Sequence, residues 1–87
     1  MSIFVGNLSF QTKWWSLKDY FKQIGEVAHV DIFTVPGKPN LSSGCGLVQF
    51  KNPEDAEAAL RLDNTELDGR VIRVKIDEKS ARGRQVL

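Results

Sequence analysis

Apolar residues recur at every second position, then at every third or fourth, then at every second again along this chain, and the cycle repeats. Period two marks a strand with one face buried, and a period near 3.6 marks a helix with one apolar stripe. The pattern therefore fixes which elements form, and in what order. Ile3-Phe4-Val5 is a short strand stopped by Gly6-Asn7. Trp14, Leu17, Phe21 and Ile24 follow at helical spacing, with Thr12 or Lys13 near the start and Gly25 as the C-terminal cap, so all four are expected in the core. Val27 to Phe33 alternates again, with Ala28, Val30 and Ile32 on one side and His29, Asp31 and Phe33 on the other. TVPGKPNLSS, holding two prolines and a glycine, reads as a loop.

The strand SGCGLVQF at 43–50 comes next, with Gly46, Val48 and Phe50 directed inward and Cys45, Leu47 and Gln49 outward. Asn52-Pro53-Glu54-Asp55 has the cap, the proline and the acidic first turn of a helix, whose buried face is Ala56, Ala59 and Leu60 and whose left-handed stop is Asn64. Leu67-Asp68-Gly69-Arg70 then turns into VIRVKI, with Ile72, Val74 and Ile76 inward. The order β-α-β-β-α-β specifies an α+β, ferredoxin-like sandwich: a four-stranded antiparallel sheet with both helices on one face. The other face stays open. It is expected to display Phe4; His29, Asp31 and Phe33; Cys45, Leu47 and Gln49; and Val71, Arg73 and Lys75. An antiparallel sheet usually wets that face, so a cysteine and a leucine at its centre need a reason.

Composition bounds the rest. With 87 residues, 41% of them hydrophobic, there is one core and one domain, residues 1–77, followed by a basic tail or linker at 78–87. Cys45 is the single cysteine, which excludes an internal disulfide and suits a reducing compartment. No apolar run reaches membrane-spanning length and the start lacks a signal-peptide layout, so no membrane association is expected. The net charge of +1 hides an asymmetry: from Arg70 onward six basic residues stand against Asp77 and Glu78, a net +4 that leaves residues 1–69 at −3. With one histidine, one cysteine and no phosphate-cradling glycine loop, no acid, base, nucleophile or metal constellation can be assembled. The chain is expected to be a non-enzymatic, monomeric domain without a cofactor.

IFVGNL at 3–8 and SGCGLVQF at 43–50 resemble the first-strand and third-strand signatures of the RNA recognition motif, the latter of the form K/R-G-F/Y-G/A-F-V-x-F/Y. The resemblance covers roughly Ser2 to Ile76, including Leu17-x-x-x-Phe21 and LDGRVIRV. More narrowly, the tryptophan before LKD, the third strand without aromatics and the ending VKIDE are similar to domains of the heterogeneous nuclear ribonucleoprotein M type. What the resemblance implies is single-stranded RNA capture on the open face, in a larger mRNA-processing or mRNA-regulating protein that is nuclear, shuttles to the cytoplasm and meets other ribonucleoprotein components. The departures are specific. Where the family places aromatic rings that stack on bases, this chain has Cys45 and Leu47, and where it places a basic residue, Ser43. Phe4 alone keeps a stacking ring in register.

The implied RNA-binding set is therefore Phe4, Asn7, Phe33, Lys38, Cys45, Leu47, Gln49, Arg73, Lys75, Arg82 and Arg84. Loss of the third-strand rings predicts weak binding by the domain alone. The alternative from the same residues is a protein-interaction module. Trp15 is rotated about 100° from Trp14, onto the side of Lys18 and Lys22, and is expected to contact a partner or to fold against Phe10. The helix-borne lysines and Arg70-Val71-Ile72 do not match the members of the fold that capture tryptophan-bearing peptides.

Overall fold

A computed structural model describes residues 2–77, apart from the side chains at 39–41. The elements are β1 (Ser2–Gly6), α1 (Trp14–Phe21), β2 (Val27–Val35), β3 (Lys38–Phe50), α2 (Pro53–Ala58) with a 3₁₀ turn at Ala59–Leu62, β4 (Glu66–Leu67), β5 (Arg70–Val71) and β6 (Arg73–Ile76). The main sheet is antiparallel, in the order β2-β3-β1-β6, and β4 and β5 form a separate hairpin. This is the expected ferredoxin-like arrangement, with the helices on one face. The inward-facing residues of every sheet strand meet Leu17 and Phe21 of α1 and Ala56 of α2 in one core that includes Ile3, Val5, Val48, Phe50, Ile72 and Val74.

The strand parities agree with the alternation, and Gly46 has a packing reason. A β-carbon there would come within 2.8 Å of the Asp31 backbone carbonyl and 3.3 Å of Leu17, so glycine lets β2 and α1 both close on the middle of β3. Gly44, at φ +84°, marks the end of the section of β3 shared with β1. Before it, β3 pairs with β2 alone.

Several expectations are corrected. TVPGKPNLSS is not a loop: β2 continues to Val35, Pro36-Gly37 make a two-residue turn with φ +78° at Gly37, and β3 begins at Lys38. Two strands of nine and thirteen residues thus project past the end of β1. Val27, not Ala28, enters the core, because a bulge between Val27 and His29 leaves Ala28 exposed. The final strand is interrupted. Asp68 and Gly69, at φ +52° and +81°, form a tight hairpin turn that takes Val71 into β5 and off the open face; Ile72 bonds instead to Thr65 and Asn64. Leu60 is 39% exposed, because the 3₁₀ turn rotates it off the line from Ala56 to Ala59. Gly25 is not left-handed: Lys22 caps α1 in the helical region, and the Asp55 carboxylate lies against Gly25, so that a β-carbon there would make it shift.

The largest correction concerns Trp14. It is 53% exposed, not buried: Leu17 covers Gly46 in the middle of the sheet, whereas Trp14 stands toward the edge strand β2, over a groove that it lines with Val30 and Ile32.

Candidate nucleic-acid interface

Period-two geometry places one residue from each strand in a row across the open face. Asp31 of β2 stands opposite Leu47 of β3, Leu47 opposite Phe4 of β1, and Phe4 opposite Lys75 of β6. The Lys75 ammonium lies 5.4 Å from the centre of the Phe4 ring, a cation–π distance, and the Phe33 ring lies 6.5 Å from it on the other side. Phe33 is 39% exposed, whereas Leu47 and Cys45 are half-buried. The face thus has an aromatic centre with an apolar side toward β3 and a cationic side toward β6. Gln49 is exposed in the neighbouring row, opposite Ser2 and His29.

Arg73, one row along and opposite Gly6, is held in place. Its Nε donates to Asp63 Oδ1 at 3.0 Å, and the backbone N–H of Val74 donates to the same oxygen at 2.8 Å. The Val74 N–H, followed by the Arg73 guanidinium, holds the Asp63 carboxyl below its ordinary range, so it is ionised at neutral pH. Phe4, Asp63, Arg73, Val74 and Lys75 line a concavity of about 260 Å³ beside the ring. Neither the periodicity nor the strand signatures single out Asp63. The available signal was the left-handed Asn64 that follows it, which ends the 3₁₀ turn and brings Asp63 back to β6.

The other expected residues are placed differently. Asn7, at φ +58°, has both ends of its amide engaged: Nδ2 donates to the Val71 carbonyl and Arg70 donates to Oδ1, each at 2.6 Å. It fastens the end of β1 to the β4–β5 hairpin. Lys38 is at the tip of the β2–β3 hairpin, nine positions along β3 from Leu47, which is roughly 30 Å at 3.3 Å per residue. Arg82 and Arg84 lie outside the described residues. Trp15 is 55% exposed with Lys18 and Lys22 on the same helix, and its ring meets Trp14 edge-on at 5.6 Å. Phe10, 65% exposed, lines a groove with Trp14, not with Trp15.

Residues 3–73 match the family model described as RNA recognition motif. Heterogeneous nuclear ribonucleoprotein M of Homo sapiens is 47% identical over 79 residues, covering 90% of this chain and 10% of that protein. Nucleolin 1 of Oryza sativa subsp. japonica is 39% identical over 75 residues, 86% of this chain and 13% of that one. The chain spans about a tenth of the length of the curated relatives it matches. Among solved structures, the penultimate RNA recognition motif of the hypothetical RNA-binding protein RBM19 superposes with a TM-score of 0.80 at 35% identity, covering 88% of this chain and 82% of that one. The RNA15 RRM superposes at 0.82 over 94% of each chain and, at 18% identity, shares the fold.

Proposed function

The chain belongs to the RNA recognition motif family, and on that premise we propose that its open sheet face captures a short single-stranded RNA segment with little sequence preference. The observation that carries this reading is the row Leu47–Phe4–Lys75, an apolar residue, a ring and an ammonium side by side on one face. Phe4 stacks one base, Phe33 a neighbouring one, and Leu47 and Cys45 give apolar support without a ring. Lys75 and the tethered Arg73 hold phosphate or base edges, and Gln49 offers an amide to a base. Lys38, Arg82 and Arg84 add phosphate contacts at the ends of the bound segment, with residues 78–87 acting as a basic tail to the domain at 1–77. Asn7 takes part by holding the β4–β5 hairpin against β1.

Two third-strand rings are missing, so the isolated domain binds at micromolar strength or weaker, since each base–aromatic stack contributes about 1–3 kcal/mol. In a longer nuclear protein, neighbouring domains would raise the effective concentration. The domain is a monomeric binding module, not a catalyst, in a protein of mRNA processing or regulation that also meets other ribonucleoprotein components and shuttles to the cytoplasm. An NMR titration with a pool of short single-stranded RNAs tests it. The amides of β1, β3 and β6 around Phe4, Leu47 and Lys75 should shift. Shifts confined to α1, or none, would end the proposal.

A second reading, protein contact through the first helix with Trp15, Lys18 and Lys22, is favoured by the exposed Trp14–Trp15 pair.

A further inference from the structure

The β2–β3 hairpin projects past the end of β1, and α1 is too short to cover its underside. Eight helical residues extend about 12 Å, against about 43 Å for the thirteen residues of β3. A groove of about 380 Å³ runs along the edge strand β2, from the rows that β3 shares with β1 out to the start of this projection. Half-buried Val30 and Ile32 line it together with Thr34 and Ser42, and exposed Phe10 and Trp14 wall it on the side of the β1–α1 connection. Two aromatic side chains more than half exposed, flanking an apolar floor, form a surface that folding alone leaves unfinished.

The charges decide what fits there. Among the described residues, Lys13 is the one charged side chain of the lining on this side of the sheet, since Asp31 stands in the open-face row, and a single cation is less than the positive track that single-stranded nucleic acid requires. Outside it, Lys18 and Lys22 follow Trp14 at one-turn intervals along α1, with Asp19 between them. The tail of this chain, carrying Lys79, Arg82 and Arg84, has the wrong sign to lie over those lysines. The floor residues alternate along β2, an edge strand of the sheet, which offers an extended backbone a parallel course.

We infer that this groove docks an extended segment of another protein, with a bulky apolar side chain seated between Phe10 and Trp14 and acidic residues lying over Lys18 and Lys22. The inference rests on the second reading above and moves its centre from Trp15 to Trp14. The open face is on the opposite side of the sheet and remains available to RNA.

A phage-displayed library of random peptides, selected on the full chain, tests this. Enriched sequences should share a bulky apolar residue with Asp or Glu to one side. A synthetic peptide of the enriched sequence should lose at least tenfold in affinity on Trp14→Ala and on Phe10→Ala, and less on Lys18→Glu. Two variants are used so that a folding defect in one leaves the other to decide, and both melting curves are recorded. Phe4→Ala should leave peptide binding within twofold, and saturating peptide should not displace a bound single-stranded RNA octamer pool. The proposal is overturned if no sequence is enriched over the Phe10→Ala/Trp14→Ala double variant, or if selected peptides bind both single variants as well as the parent. It is equally overturned if Trp14→Ala weakens RNA binding instead, or if Trp14→Ala dissolves a dimer of this chain seen by sedimentation. Failure of the NMR titration on the open face would leave these peptide results standing, so the two readings fail separately.

Discussion

The open face around Phe4 and the groove beneath the β2–β3 hairpin both combine aromatic rings with lysines, yet they are built on different physical grounds. In the first, every side chain stands where ladder register puts it: Leu47, Phe4 and Lys75 are consecutive partners across three strands. In the second, Phe10 comes from a connection, Trp14 from the first residue of a helix, and Ile32 and Thr34 from the edge strand, one on either side of the point where β3 parts from β1. A register-built surface is rigid and predictable from parity. A surface left by unequal element lengths depends on where each element stops, and its residues are the ones whose burial the periodicity misjudges.

The largest expected effect separates the shared support from either surface. Leu17 is fully buried beneath Gly46, so Leu17→Ala should cost about 2–5 kcal/mol and weaken both surfaces together, read by chemical denaturation. Trp14→Ala, three residues away on the same helix, should cost less, about 1 kcal/mol, because half of its ring is already in water. Comparable losses at the two positions would mean that the groove wall belongs to the core.

Phe4→Ala comes next and sharpens the contrast from the other side. Removal of the one ring in the family's register should cost RNA about 1–3 kcal/mol, measured by fluorescence anisotropy with the fold verified by its melting curve. Unchanged RNA affinity in a folded variant would transfer the interface elsewhere. A smaller gain is expected when a ring is restored. Leu47→Phe, half-buried and beside Phe4, should raise affinity by about 1 kcal/mol with little change in melting temperature. That gain should vanish in a Phe4→Ala background if the rings act jointly.

The smallest effect concerns Asp63. Its folded-state pKa is depressed, so its contribution to stability is present above the ordinary value of 3.8 and is lost as pH falls through the lower folded value. Below pH 3.8 the melting temperature of the parent should therefore fall more steeply than that of Asp63→Asn, which keeps an oxygen for the Val74 N–H but has no proton to gain. Parallel acid limbs would show that the Asp63–Arg73 contact carries no linkage. The groove, whose lining does not include Asp63, should keep its peptide affinity in Asp63→Asn.

The sequence was most legible where geometry leaves two choices. A strand residue faces one side or the other, and once Val48 and Phe50 are buried, Leu47 and Gln49 can only face out. That binary constraint made the open face, with Phe4, Leu47, Arg73 and Lys75, readable without a structure. The same reasoning failed at Ala28 and Val71, where a bulge and a hairpin break the count.

Three features belonged to the tertiary structure alone. Trp14 has the helical spacing of a core residue, but burial requires something opposite, and Trp14 stands toward the edge strand β2, where the sheet ends. Asp63 and Arg73 are ten residues apart with a hairpin between them, and only its tight turn at Asp68-Gly69 returns the chain so that the carboxylate meets the guanidinium. Asn7 reads as a surface polar residue beside an RNA-facing strand, but its amide is engaged by Arg70 and the Val71 carbonyl, more than sixty residues further along. Periodicity is a local property that fixes the side from which a residue looks out. Whether anything stands there to meet it is settled by the lengths and ends of other elements, which the local pattern does not contain.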